Sequence, residues 1–221
     1  MVVLDDIPFE FDFSVFSKKI DLKTYENMEG EVLRFLDEIV DLVQPKAVYK
    51  EAFVDQKEGE RVVVAGHTFY SKILRENLEK IERVFPYVAT CGGELEDFQD
   101  DLSDPLQLFW VDQLKQMALS AASDWLNREL REKYRIEKIV SMNPGSADKE
   151  VWPLDQQQVL FSLLGEVEKA IGVHLTDSYL MVPNKSVSGI YFPRDESLIN
   201  CEYCTRQDCP SRRAPHDPDK W

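Results

Sequence analysis

The stretch Ser178-Tyr-Leu-Met-Val-Pro-Asn-Lys-Ser-Val-Ser-Gly-Ile-Tyr-Phe192 places two runs of apolar and small residues on either side of Pro183-Asn184-Lys185. This pattern predicts two strands, 178–182 and 187–192, joined by a turn. Working back from it, Asp155 and Gln158 have the spacing of a capping box, which predicts a helix ending at Gly172. Residues 136–142 read as a strand. The longest periodic segment is 105–134, where Leu106, Trp110, Leu114, Met117, Ala121 and Trp125 form a stripe behind Asp104 as cap and Pro105 as first helical residue.

Further upstream, apolar residues recur every three or four positions over 25–43, from Met28 through Val32, Phe35, Leu36 and Ile39 to Val43, and Pro45 ends that helix. Segments 47–54 and 61–65, rich in Val and aromatics and separated by a charged turn with Gly59, predict a hairpin. Residues 70–84 return to helical spacing through Ile73, Leu74, Leu78 and Ile81, and 87–91 reads as a strand. Helices and strands mix without a strict βαβ rhythm, which predicts an α+β fold with a mainly antiparallel sheet. No internal repeat or Gly/Ser linker divides the chain. It parses as one domain, 1–200, followed by a cysteine-rich tail, 201–221.

Composition narrows the partners. The 221 residues hold 26 Lys plus Arg against 41 Asp plus Glu, a formal charge of -15. Such a charge repels nucleic-acid phosphates and anionic lipid headgroups over about 8 Å at physiological salt, so neither is an expected partner. No apolar run reaches the roughly 20 residues of a membrane span, and Asp5, Asp6 and Glu10 are unlike a signal peptide. A cytoplasmic location is expected. The tail has four acids (Glu202, Asp208, Asp217, Asp219) and four bases (Arg206, Arg212, Arg213, Lys220), so the whole excess of negative charge lies before Cys201.

Several segments carry possible chemistry. The loop Ser141-Met-Asn-Pro-Gly-Ser146 lies between expected elements and holds residues that shape a ligand-facing turn, or simply a connection. The small residues 118–123 admit a close approach by another backbone or a ligand, or ordinary tight packing. His67 reads as a turn or packing histidine. Thr90-Cys-Gly-Gly-Glu94 places a thiol beside two glycines, as a metal ligand or a buried turn cysteine. The strongest signal is Cys201-Glu-Tyr-Cys204-Thr-Arg-Gln-Asp-Cys209, whose three thiols at short spacing can converge on one centre. Cys91 as fourth ligand makes an all-cysteine site for an iron–sulfur cluster or zinc, and His216 instead makes a Cys3His zinc site. Unligated thiols are the remaining reading.

Val187-Ser-Gly-Ile-Tyr-Phe192, preceded by Pro183 and Ser186, resembles the Ser-Val-Ser-Gly-x-Tyr-Phe signature of the reactivation domain of cobalamin-dependent methionine synthase. The similarity extends over most of residues 25–200. It implies a C-shaped α+β domain with a twisted sheet flanked by helices, which holds S-adenosylmethionine in a shallow groove against a corrinoid carried by a partner. In that family, cob(II)alamin is reduced by one electron and remethylated by S-adenosylmethionine. Methyl capture pulls an uphill electron transfer forward, and the domain supplies position more than acid–base groups. The implied partner is a cobalamin-binding methionine synthase or other corrinoid protein, with flavodoxin or ferredoxin as electron source.

By position, the resemblance assigns the ligand to Pro144 and Gly145 of the loop, to Ser186, Ser188, Gly189 and Tyr191 of the signature, and to Glu129 as the carboxylate on the long helix. The family's loop reads Arg, then Pro-x-Pro-Gly-Tyr. Here Ser141 and Ser146 stand where that Arg and Tyr belong, so backbone contacts are kept while the Arg contact is lost. The family domain lacks the cysteine tail, and the tail motivates a redox centre on Cys91, Cys201, Cys204 and Cys209 that carries the electron itself.

Overall fold

A computed structural model describes residues 1–24, 27–148, 150–195, 198, 200–209 and 212–220. The elements are β1 (Val2–Leu4), α1 (Phe13–Lys19), α2 (Glu29–Ile39), β2 (Lys46–Tyr49), β3 (Ala52–Glu58), β4 (Arg61–Val64), β5 (His67–Tyr70), α3 (Lys72–Asn77), β6 (Arg83–Thr90), α4 (Glu94–Asp100), α5 (Pro105–Tyr134), β7 (Ile139–Met142), α6 (Gln157–Leu164), α7 (Val167–Ile171), β8 (His174–Leu175), β9 (Met181–Val182) and β10 (Ser186–Pro193). Among the described residues, eight strands form one sheet in which every pairing is antiparallel. A small β8–β9 ladder stands beside it. The fold is therefore the expected α+β architecture with an antiparallel sheet flanked by helices.

Strand β6 is the trunk of the sheet. One edge pairs with β10, and β10 continues to β7. The other edge pairs with β2 over its C-terminal half and with β3 over its first two residues. All of β6 after Arg83 is buried, so its side chains serve two cores at once. Phe85, Tyr87 and Ala89 face Leu126 and Leu130 of α5, whereas Val84 and Val88 face Leu160, Leu163 and Leu164 of α6 and the Phe69–Trp152 pair. A third cluster joins α1, α2 and the first half of α5.

Several elements depart from the periodicity. The expected helix 25–43 is regular over Glu29–Ile39 and tightens to a 3-10 turn at Val40–Leu42; Tyr25 lies outside the described residues. Segment 47–54 is two strands rather than one, because the chain leaves β6 at Lys50 and rejoins the sheet at Ala52. The predicted hairpin survives as β3–β4 around Gly59, extended by β5. The helix expected over 70–84 spans only Lys72–Asn77, capped by Ser71 accepting from the Leu74 amide at 2.9 Å. Tyr70 closes β5, and Arg83 and Val84 open β6. Pro86 makes that longer strand hard to see in the sequence. It falls where β2 gives way to β3, and its carbonyl still accepts from Lys50 N at 3.0 Å.

The C-terminal half shows similar corrections. The strand expected over 136–142 covers only Ile139–Met142. Asp155 and Gln158 form no capping box: a 3-10 turn at Leu154–Gln156 precedes α6, and Gly165, at φ 96°, separates α6 from α7 before Gly172 ends the run. The first strand of the 178–192 pair shrinks to Met181–Val182, because Tyr179 adopts φ 64°. On α5 the buried seam runs Trp110, Leu114, Ala118, Ala122, Leu126, Leu130. It drifts off the expected Met117, Ala121 and Trp125, since four-residue steps overshoot the 3.6-residue turn and follow the twist of the sheet. Ala122 lies where α5 packs on the sheet and Ala118 where α5 meets α1 and α2, which matches the packing reading of 118–123.

Gly189, in the middle of β10, permits the closest approach in the sheet. A Cβ there would collide with the Met142 carbonyl and the Asn143 amide, and would crowd the Ser141 hydroxyl at 3.1 Å. Its absence lets β7 and the loop after it lie flat against β10. Gly189→Ala is therefore expected to destabilise the fold by about 1–3 kcal/mol through overpacking, read as a lower midpoint in urea unfolding. Ser188→Ala, which removes one hydrogen bond without a clash, should cost about 1 kcal/mol. An alanine at 189 as stable as the parent chain would contradict this account.

Candidate functional site

The loop that follows β7 and the strand β10 enclose a cleft of about 520 Å³ together with Leu154, Gln157 and the segment 180–184. Asn143 sets its floor. Its Nδ2 donates to Tyr87 Oη and to the Ser188 carbonyl, both at 2.8 Å, while its Oδ1 accepts from Ser141 Oγ at 3.3 Å. Tyr87 Oη and Ser141 Oγ are 2.9 Å apart, which closes the ring of contacts. The turn itself is fixed by Gly145 N donating to Trp152 O at 2.9 Å and by Ser146 Oγ donating to Asn143 O at 2.7 Å. Gly145 sits at φ 72°, and a side chain there would strike Leu154, so this glycine is required twice.

The opposite wall is built from α6. Gln157 is buried; its Oε1 accepts from Ser188 Oγ at 2.8 Å and its Nε2 donates to Tyr179 O at 2.9 Å. Ser186 Oγ lies within donating reach of Thr90 Oγ1 and Pro183 O, at 2.8 and 2.7 Å. Among the described residues, no charged side chain lines the cleft. Behind it, the Tyr87 and Tyr191 rings stack with centroids 4.3 Å apart. Burial, before any other influence, pushes both phenols above their ordinary range, so both stay protonated at neutral pH. The cleft offers neutral donors, acceptors and an apolar rim at Leu180 and Val182. It can bind and orient a ligand, and its described lining contains no general acid, base or nucleophile poised near neutral pH.

The expected site residues divide into three groups. Pro144, Gly145, Ser146, Ser186 and Ser188 line the cleft together. Ser141 stands one layer behind them, bonded to Tyr87, while Gly189 and Tyr191 belong to the body of β10; the Tyr191 ring packs with Ala122 and Leu126 of α5. Glu129 is elsewhere. It pairs with Lys133 at 3.7 Å and lies 3.5 Å from Tyr49 Oη, which itself accepts from Lys133 Nζ at 2.8 Å. Asn143 and Gln157 escape the sequence reading. The signal for each is a polar residue where the pattern has no use for one, directly before Pro144-Gly145 and at the start of an apolar helix.

The cysteines also separate. Cys91 is buried in the cluster formed by Phe35, Trp110 and Val111, with its Sγ 3.1 Å from Gly92 O, and burial pushes the thiol up to about 11. The tail attaches to a different core through Tyr203. Cys91 is therefore a packed core thiol, which corrects the four-cysteine set; the reading of Thr90-Cys-Gly-Gly-Glu94 as a buried turn is the one the geometry matches. Among the described residues no three His, Cys, Asp or Glu side chains are grouped so as to hold a metal ion. No described helix is long and apolar enough to cross a membrane.

Residues 94–208, just over half of the chain, match the family described as vitamin B12 dependent methionine synthase, activation domain. No curated protein matches. Among solved structures, the crystal structure of the MetH reactivation domain bound to AdoHcy superposes with a TM-score of 0.63 at 17% identity, covering 89% of this chain and 76% of that one. At that identity the superposition speaks for the fold, and the family assignment comes from the sequence match. The cleft, the signature strand β10 and the loop at Pro144-Gly145 all fall inside the matched residues. The chain belongs to the activation-domain family of vitamin B12 dependent methionine synthase.

Proposed function

We propose that this chain acts as a reactivase for a cobalamin-dependent methyltransferase, of methionine synthase type, and that it supports reductive remethylation of cob(II)alamin with S-adenosylmethionine. One electron and one methyl cation enter, and methylcobalamin and S-adenosylhomocysteine leave, so the balance closes with an external reductant such as a flavodoxin or a ferredoxin. The corrinoid is carried by the partner. The observation that carries this reading is the neutral cleft between β10 and the loop 143–146, in a chain of this family whose structural relative is described as bound to AdoHcy.

The residues present fit part of the ligand. Asn143, Gln157, Ser146 and Ser186 supply neutral donors and acceptors of the kind a nucleoside requires, and Leu180 and Val182 supply an apolar rim. With no charged lining among the described residues, the sulfonium and the amino-acid end of S-adenosylmethionine would rely on carbonyl oxygens and backbone amides. Bound there, the methyl donor would be positioned rather than activated by proton transfer, which agrees with buried, protonated Tyr87 and Tyr191.

The same neutrality favours a second reading, a docking module that stabilises one conformation of a corrinoid protein without holding the methyl donor. Titration calorimetry with S-adenosylhomocysteine separates the two. The reactivase binds it, and Ser146→Trp, an exposed loop position on the cleft, should weaken binding at least tenfold, about 1.4 kcal/mol. Glu129→Gln should bind as the parent does, because Glu129 is engaged with Lys133. A parent chain that releases no heat with this ligand would favour the docking module.

Activity gives an independent check. Mixed with an oxidised corrinoid protein, a flavodoxin or ferredoxin reducing system and S-adenosylmethionine, the parent chain should restore the methylcobalamin spectrum. Ser146→Trp should slow that recovery in proportion to its loss of affinity when the methyl donor is subsaturating. Recovery at the same rate without the chain would remove the reactivase assignment.

A further inference from the structure

The cleft between β10 and the loop 143–146 is neutral, yet its hydrogen-bond polarity is one-sided. A hydroxyl owns a single hydrogen, and once that is given inward only its lone pairs face the cavity. Ser146 Oγ donates to the Asn143 carbonyl at 2.7 Å and Ser188 Oγ to Gln157 Oε1 at 2.8 Å. Ser186 Oγ has the Pro183 carbonyl at 2.7 Å and Thr90 Oγ1 at 2.8 Å, both on its inner side. The amide hydrogens of Asn143 are engaged by Tyr87 Oη and the Ser188 carbonyl. The three serines that line the cleft among the described residues therefore offer acceptors to a ligand.

The backbone donors of the two turns at the cleft are spent in the same way. Gly145 N donates to Trp152 O at 2.9 Å and Ser146 N to Asn143 O at 3.2 Å, while Thr176 N donates to Leu180 O at 2.8 Å and Leu180 N to Thr176 Oγ1 at 3.1 Å. Among the described lining residues, the side-chain donors left over are neutral: the Thr176 hydroxyl, the Asn184 amide and the second hydrogen of Gln157 Nε2. Thr176 also lines a neighbouring cavity of about 760 Å³ that carries Glu166, Glu168 and Asp177 against Lys169, itself paired with Glu166 at 3.4 Å. Those groups are exposed, so solvent weakens their field. Its sign nevertheless agrees with that of the acceptor-rich wall.

We infer that the cleft recognises its adenosyl ligand by the nucleoside and the cationic end and makes no use of the α-carboxylate. The inference rests on the reading of the cleft as the methyl-donor site and names the part of the donor that the site selects. A carboxylate is acceptor-only and needs an arginine, a lysine or a cradle of open amides. Here it would meet the lone pairs of Ser146, Ser186 and Ser188 and turn amides already committed to other oxygens, so it is left to solvent. A sulfonium and an ammonium meet the opposite situation, since the same oxygens are oriented toward positive charge. Specificity of this kind comes from pairing and from its denial, because an unmatched polar group in a site costs more than a matched one returns. The ligand class is thus an adenosyl sulfonium or amine whose carboxylate is dispensable.

The test is titration calorimetry of the full chain with S-adenosylmethionine and with decarboxylated S-adenosylmethionine, which keeps the nucleoside, the sulfonium and the amine. The decarboxylated ligand is expected to bind as tightly as S-adenosylmethionine or more tightly. Ser146→Trp should weaken both alike, which places both in the cleft. Ser146→Arg puts a cation beside the site and should shift the ratio of the two affinities about tenfold toward the carboxylate-bearing ligand, the size of one charge-assisted hydrogen bond. Circular dichroism checks that each variant keeps the fold of the parent. Binding of S-adenosylmethionine at least threefold tighter than its decarboxylated form overturns the inference and leaves the reading of the cleft intact, as does a ratio that Ser146→Arg does not move. A parent chain that binds neither ligand, nor S-adenosylhomocysteine, overturns that reading and this inference with it.

Discussion

Everything in the main domain is hung on the two edges of β6. A strand buried on both faces must satisfy its backbone from both neighbours, and here those neighbours come from distant parts of the chain, β10 on one side and β2 then β3 on the other. Because β6 points Phe85 and Tyr87 toward α5 and Val84 and Val88 toward α6, its position fixes the two helical layers relative to the sheet. Tyr87 transmits that constraint to the site: its hydroxyl meets Ser141 and Asn143, so the loop that shapes the cleft is registered against the central strand. The cleft is thus a consequence of strand pairing as much as of loop sequence.

The elements legible in the sequence are those that obey one period over many residues. α5, with Asp104 and Pro105 at its start, and β10, with its run of small and aromatic residues, can be read on their own. The failures share a cause, namely that tertiary pairing overrides local spacing. Ile73, Leu74, Leu78 and Ile81 imitate a helical stripe, yet Val84 and Phe85 are claimed by the sheet and the helix stops at Asn77. Lys50 and Glu51 divide an apparently continuous strand because the partner edge changes there. β1, α1, α4 and β8 escape detection because they are short and have little pattern to read.

The site is legible to the same extent and for the same reason. Five of the expected residues line the cleft because they sit on one loop and one strand that pack together. Glu129, whose expected role comes by position alone, lies outside the cleft and pairs with Lys133, one turn along α5. Gly189 and Tyr191 are also instructive. Part of the signature strand is a packing signature: the glycine makes room for Met142 and Asn143, and the tyrosine stacks on Tyr87. Such positions can mark a family through packing alone.

The distribution of charge separates recognition by the cleft from recognition by the surface. The body carries the whole net charge of -15, yet the described lining of the cleft is neutral. For any ligand it holds, selectivity would come from shape and from oriented dipoles fixed by Asn143 and Gln157, whereas long-range attraction acts through the surface as a whole. The tail joins these two regimes. Partial burial opposes ionisation of Asp148, but the Thr205 hydroxyl and amide, at 2.7 and 3.0 Å, hold its carboxyl below the usual range. Asp148 follows the loop 143–146 by two residues. The segment with the least core of its own is therefore fastened, through Thr205 and Asp148, beside the loop that forms the cleft.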